Sequence, residues 1–289
     1  MPARKAATVA LKEIVVFLDG SQASDVRLEI ALEIASRHDA LLAGAYVPEE
    51  SILARYPDEF ARGDAVADVV SRETSAEDAG LARAASHFME ASRKAGVSGE
   101  WRPIAKYGTA ADVVRCARYA ELSIVGQFAG RGASALWRPE ELLFAFGGPA
   151  LIVPQETPPS HRVGRHVLIA WDASREAKRA VADAMPFLAA ADRTTILVVD
   201  PQGQHTAGDH GLAAALAARL KRHGIDAAMV NAISGGRNIG SVILEQAKDA
   251  GADMIVMGAY GHMRVIEMIF GGATRTVLAD MAVPVLMSR

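Results

Sequence analysis

Several features that would fix a function quickly are missing from this sequence. A single cysteine, Cys116, in 289 residues excludes an internal disulfide and a cysteine-based zinc site, and fits a reducing compartment. There is no excess of charge: the formal net charge of −3 gives no reason to expect nucleic acid or an anionic membrane as partner. There is no long apolar run near the start. Arg4 and Lys5 are followed only by Ile14 to Leu18, which ends at Asp19, too short for a signal-peptide core or a membrane span. The simplest location is therefore cytoplasmic. The two usual phosphate fingerprints are absent as well. No Gly-x4-Gly-Lys-Ser/Thr run occurs, and no Gly-x-Gly-x-x-Gly follows a strand.

What is present is length, apolarity and repetition. The chain is long enough for two domains, each with its own core, and its 51% hydrophobic and 22% charged residues are those of a globular protein. Ile14-Val15-Val16-Phe17-Leu18-Asp19-Gly20-Ser21 is echoed by Val167-Leu168-Ile169-Ala170-Trp171-Asp172-Ala173-Ser174. Ser123-Ile124-Val125-Gly126 returns as Ile255-Val256-Met257-Gly258, and Pro149-Ala150-Leu151-Ile152-Val153 as Pro284-Val285-Leu286-Met287. Three matched segments in one order predict tandem copies of a fold, at residues 1–155 and 163–289. The join lies at the polar stretch Gln155-Glu156-Thr157-Pro158-Pro159-Ser160. The first copy is longer, and its surplus falls between Pro48 and Ser75, read as a loop and a long surface helix.

In the second copy, short apolar runs near His166–Trp171, Thr195–Asp200, Ala227–Ala232, Met254–Met257 and Val285–Met287 read as strands. They alternate with amphipathic stretches near Arg175–Ala190, Leu212–His223, Ile239–Ala250 and Ala273–Asp280, which read as helices. Continuously apolar strands are those of parallel sheets covered on both faces, and the alternation predicts a doubly wound α/β sheet. Ligands of such sheets sit beyond the carboxyl ends of the strands.

The most informative segment is Asp253-Met254-Ile255-Val256-Met257-Gly258-Ala259-Tyr260-Gly261, then nine residues, then Gly271-Gly272-Ala273-Thr274. It reads as a strand, a bare loop and a helix start. Glycines let backbone N–H groups approach an anion, and the helix start adds its positive dipole end. Read as structure alone, the same glycines make a turn that needs positive φ.

The spacing of Gly258, Gly261 and Gly271 resembles the Gly-x2-Gly-x9-Gly-Ser/Thr signature of the universal stress protein family, whose nucleotide-binding members hold ATP there. The resemblance is strongest from Arg165 to Arg289. It implies two tandem Rossmann-like domains of the adenine nucleotide alpha hydrolase-like kind, each a five-stranded parallel sheet flanked by helices. A pseudo-two-fold axis would relate them, with the last strands, Leu151–Val153 and Val285–Met287, meeting antiparallel. It also implies a cytoplasmic module that binds ATP, ADP or AMP, regulatory or protective in a stress response. Gly258, Gly261 and Gly271 would bracket ribose and phosphates, and Val198 and Met257 would occupy strand ends that contact adenine. Ala170 and Trp171 complete the binding set. Asp172 would lie near the phosphates and reach them through a nucleotide-bound Mg ion, since carboxylate and polyphosphate otherwise repel.

Plainer readings stand beside these: Asp172 or Ser174 caps a helix, and Val198 and Met257 are core residues. The pattern is broken at Gly272, where the family has Ser or Thr. Backbone N–H groups of Gly272, Ala273 and Thr274 remain, and the Thr274 hydroxyl is a substitute donor. Tyr260, His262 and Arg264 lie between the second and third glycines. Arg264 could pair with a phosphate, while His262 has no second ligand beside it at metal spacing.

The first copy lacks this equipment. Gly126 is followed by Gly130 rather than by a glycine three positions on, and Leu142 to Phe146 leads apolar side chains straight into the last strand. Asp19 is then a helix cap, and one competent site is expected per chain. Cys116 reads as a small core residue, and Lys106–Thr109 and Ser234–Asn238 as matching strand-to-helix loops facing the same sheet edge, either plain turns or part of a pocket rim. No catalytic residue is named. A slow ATPase or phosphotransferase, or an interaction protein without ligand, remain alternatives, and association into a homodimer stays open.

Overall fold

The structure is a computed structural model that describes residues 10–19, 21–47, 64–102, 104, 110–127, 143, 145–157, 162–200, 211–259 and 272–289. In the N-terminal half, the strands are β1 (Glu13–Leu18), β2 (Leu41–Tyr46), β3 (Gly99–Trp101), β4 (Leu122–Gly126) and β5 (Ala150–Val153). Its helices are α1 (Gln22–His38), α2 (Asp64–Ala95) and α3 (Ala110–Ala117). The C-terminal half contributes β6 (His166–Ala170), β7 (Arg193–Val199), β8 (Ala227–Ala232), β9 (Met254–Gly258) and β10 (Val285–Ser288). Its helices are α4 (Arg175–Asp183), α5 (Met185–Leu188), α6 (Leu212–Arg222), α7 (Ile239–Ala250) and α8 (Gly272–Asp280).

All ten strands form one sheet in the order β3-β2-β1-β4-β5-β10-β9-β6-β7-β8. Within each half every pairing is parallel, and the halves meet where β5 and β10 run antiparallel, Leu151 opposite Leu286. This is the expected junction of last strands, and it turns two open edges into an interior pair. Side-chain alternation along β1 and its neighbours sends Ile14, Val16 and Leu18 to one core layer and Val15 and Phe17 to the other. Both layers run across the junction without a break, since each holds residues of both halves. Leu28, Phe88, Val181 and Leu216 bring α1, α2, α4 and α6 to the first layer. Val113, Ile243 and Val277 bring α3, α7 and α8 to the second.

Two further contacts tie the halves. The Gln127 amide, just past β4, donates to the Leu278 and Ala279 carbonyls at 2.9 and 2.8 Å, the last turn of α8. On the other face Arg37 donates to the Val163 carbonyl at 3.0 Å and lies over the Phe187 ring, which also meets His38 edge-on.

The expected surface helix of the first half is α2, 32 residues long; residues 48–63 lie outside the described residues. The helix expected at Arg175–Ala190 is divided: α4 stops at Ala184, where φ is −80° and ψ −5°, and α5 restarts with Pro186 in its first turn. Proline has no N–H to donate back, so it suits a restart and not a helix interior. Cys116 is half-buried against the second core layer, and burial raises its thiol pKa. Among the described residues no helix is long and apolar enough to cross a membrane.

Candidate functional site

The strand order reverses between β6 and β9, which leave for opposite neighbours, and the crevice beyond their carboxyl ends is where an open α/β sheet receives ligands. Ala170 pairs with Met257 across the two strands. Trp171, Asp172 and Gly258 therefore come to one place, and α8 is the helix that follows β9.

Asp172 follows β6 and is exposed. Its Oδ1 accepts the Ser174 N–H at 2.9 Å, and the Ser174 Oγ accepts the Ala177 N–H at 3.1 Å as the N-cap of α4. Ser174 thus makes the cap, and Asp172 makes the turn that leads to it. Between them Ala173 sits at φ 59°, the left-handed region that a side chain disfavours. Among the described residues no other side chain bonds to Asp172, so one carboxylate oxygen is left facing outward.

Gly258 closes β9 against the first turn of α4. A Cβ there would lie 2.4 Å from the Ala177 nitrogen and 2.6 Å from the Glu176 carbonyl carbon, which are backbone atoms that cannot step aside. Here glycine is required by close approach and not by φ. The start of α8 is set by a second close approach: a Cβ on Gly240 would fall 2.5 Å from the Ala273 carbonyl oxygen. The first turns of α7 and α8 are thereby pressed together. Gly272 is exposed, Ala273 half-buried and Thr274 buried, 4% exposed.

Trp171 and Val198 pack against one core layer, Ala170 and Met257 against the other. The alternation of strand residues thus places Val198 and Met257, both expected at an adenine, on opposite faces of the sheet. Trp171 donates its N–H to the Leu197 carbonyl at 2.8 Å, and its Nε1 is buried without a partner. Gly261 and Gly271, with Tyr260, His262 and Arg264, lie outside the described residues, as does the Lys106–Thr109 loop.

The loop Ser234–Asn238 is fastened by Asp200, whose Oδ1 accepts the Ser234 N–H at 2.8 Å. The Ser234 hydroxyl and N–H hold the Asp200 carboxyl below the usual carboxylate range. Arg237 pairs with Glu245 at 2.7 Å. Asn238 caps α7 through its Oδ1, which accepts the Gly240 N–H at 2.8 Å. Asn238 stood out in the sequence only as the end of a strand-to-helix loop, and Gly240 not at all; nothing local announces contact with α8.

The equivalent place in the N-terminal half is filled from inside. Arg27, 1% exposed, donates to the Phe17 carbonyl at 2.6 Å and to Asp19 Oδ2 at 3.2 Å from both terminal nitrogens. A Cβ on Gly126 would meet that guanidinium at 2.3 Å. Asp19 was expected as a helix cap; its Oδ1 does accept from Ser21, but Ser21, the N-cap residue, makes no side-chain cap and Asp19 Oδ2 is committed to Arg27. Phe146 stacks on Phe17 at 5.7 Å and, with Leu143, belongs to the core, as the apolar run before β5 implies.

The carboxyl ends of β6 and β9 therefore bring together an exposed carboxylate and a glycine packed on the first turn of α4, while α8 opens against α7, all downstream of residue 163. Residues 164–289 match the sequence model of the universal stress protein family. The C-terminal half belongs to that family. This universal stress protein domain contains every described residue of the candidate site. Over the whole chain the fold is that of tandem universal stress proteins. One solved structure, a universal stress protein from Archaeoglobus fulgidus, superposes with a TM-score of 0.67 at 17% identity, covering 95% of this chain and 98% of its own. A universal stress protein candidate from Pseudomonas aeruginosa gives 0.57 at 15% identity, covering 96% of this chain and 93% of its own. No curated protein sequence matches the chain.

Among the described residues a divalent ion would find one protein ligand here, Asp172. The free oxygen of Asp172 fits an ion whose other ligands are phosphate oxygens and water, as magnesium prefers. Among the described residues no group of three His, Cys, Asp or Glu side chains could hold a metal alone.

Proposed function

We propose that this protein is an adenine-nucleotide-binding regulatory or protective module of the cytoplasm, with one competent site, in its C-terminal universal stress protein domain. The observation that supports the reading is that Asp172 and Gly258 lie at the neighbouring carboxyl ends of β6 and β9, where the strand order reverses, with α8 the next helix after β9. Backbone N–H groups at the start of α8 suit phosphate oxygens, since each is a donor without a helical partner and the dipole end is positive. The half-buried Trp171 and Val198 offer apolar surface to a flat base, with the polar discrimination left to backbone groups. Asp172 would hold a magnesium ion carried in by the nucleotide, and that ion would neutralise phosphate charge. The N-terminal half takes no nucleotide in this reading, because Arg27 already satisfies Asp19.

Calorimetric titration of ATP into the intact chain, with magnesium and with a chelator, tests this. One site per chain is expected, weakened without magnesium. Gly272→Asp separates binding from folding: a carboxylate in the first turn favours the helix but repels phosphate. That variant should keep its melting temperature and lose ATP. A well-folded wild type that binds no adenine nucleotide, or two equal sites per chain, would overturn the proposal.

A further inference from the structure

We infer that Asn238 is a phosphate-binding residue of the C-terminal site, its side-chain amide supplying the donor that Gly272 lacks; this rests on the nucleotide reading above. Asn238 stands at the N-cap of α7 in extended backbone geometry, φ −61° and ψ 129°. Its Oδ1 accepts the Gly240 N–H at 2.8 Å. An amide oxygen accepts and an amide nitrogen donates, so this bond fixes which end of the side chain is which and where the NH2 group points. That group faces the first residue of α8. A Cβ on Gly272 would lie 3.3 Å from Asn238 Nδ2.

A serine or threonine at position 272 would therefore put its side chain beside the place where the Asn238 amide now presents two N–H donors. Among the described residues the amide nitrogen donates to no protein acceptor, and Asn238 is exposed. Thr274, the substitute suggested by sequence, is 4% exposed and has little hydroxyl surface to offer. The placement is not accidental to the loop. Gly240 brings α7 so close to α8 that a methyl group would strike the Ala273 carbonyl at 2.5 Å and Thr276 at 2.9 Å. Two residues earlier, the cap of α7 is delivered to the mouth of α8. The ligand group this suits is a phosphoryl oxygen: an uncharged amide bonded to an anionic oxygen makes a charge-assisted bond, stronger than one to a neutral acceptor. The base and ribose gain nothing from it.

The test is titration of ATP and of adenosine into the wild type, Asn238→Ser, Gly272→Ser and the double variant. Serine keeps the helix cap at position 238, and its shorter hydroxyl, held at the cap, does not extend to the place that the amide nitrogen holds beside Gly272. Gly272 does not occupy the left-handed region, so serine fits its backbone. Asn238→Ser should weaken ATP about tenfold, the effect of one charge-assisted bond, and leave adenosine unchanged. The double variant should recover most of that loss, because the hydroxyl at 272 then has both space and a role. Wild-type ATP binding with an unaltered Asn238→Ser variant would overturn the assignment of Asn238 and leave the nucleotide reading intact. Equal losses for ATP and adenosine, or no recovery in the double variant, would also overturn it. A folded wild type that binds neither ligand would overturn both.

Discussion

Arg27 and Asp19 form an ion pair at 3.2 Å beneath Gly126, with the arginine sealed from solvent and the aspartate partly open. By the internal repeat, Arg27 corresponds to Ala180, and Asp19 to Asp172. Among the described residues, the same acid at the same strand end thus has a fixed cation in one half and none in the other. Burial lowers the pKa of Arg27, and Asp19 opposes that shift.

Removing one member of such a pair leaves the other charge unmatched. Arg27→Met should cost about 2 kcal/mol of unfolding free energy, the moderate figure reflecting the exposure of Asp19. Adding Asp19→Asn should restore most of it. Denaturant melts of the two single variants and the double variant give the coupling directly, and strict additivity would sink the idea that the pair acts as a unit.

Ala173 holds a left-handed conformation, φ 59°, between the Asp172 turn and the Ser174 cap. Relief of the side-chain penalty outweighs the extra freedom glycine gives the unfolded chain. Ala173→Gly is expected to raise stability by about 0.5 kcal/mol, where glycine elsewhere in a chain usually lowers it. Thermal melts read the sign; a fall would show that the turn is unstrained.

Gln127 donates to two carbonyls in the last turn of α8 from the other half of the chain. Each bond contributes about 1 kcal/mol, so Gln127→Ala should cost about 1–2 kcal/mol. Hydrogen exchange should quicken in α8 and not in α1, since only α8 loses its clamp. Uniform acceleration would mean that the residue serves general stability only.

His38 is buried beside Phe187, and its Nε2 has no partner. Burial first, then Arg37 and Lys12, lower its pKa in the folded state. The unfolded chain therefore binds the proton more readily. Stability from this group is complete above the unfolded value of about 6.5 and is lost as pH falls through the folded one. Melting temperatures between pH 5 and pH 8 should decline toward acid more steeply in the wild type than in His38→Leu. Parallel curves would remove His38 as the cause.

The architecture was legible because it is written in strands. Apolar runs repeated in order announced two parallel sheets, and the β5–β10 junction was what the family resemblance implied, in keeping with the need to cover two edges. The placing of Asp172 and Gly258 at strand ends was legible, because each stands directly at the end of an apolar run. What stayed hidden depends on contacts between distant segments. Arg27 looks like any polar residue of an amphipathic helix until β4 is laid over it. Gly240 gives no hint that it touches Ala273. Val198 and Met257 can be placed at strand ends by pattern, but only the paired sheet shows that they lean to opposite faces.

The antiparallel joining of β5 to β10 within one polypeptide has a consequence for how the molecule can vary. In a dimer of identical chains, every substitution is made twice, once on each side of the axis. Here the partner is covalent: the pair cannot part on dilution or exchange members, and each copy changes alone. A large cation at the Arg27 position would stand in both halves of a symmetric assembly; in this chain it stands in one, and the buried Ala180 takes its place in the other. Fusion thus lets the two strand-end regions differ while their ratio stays fixed at one to one.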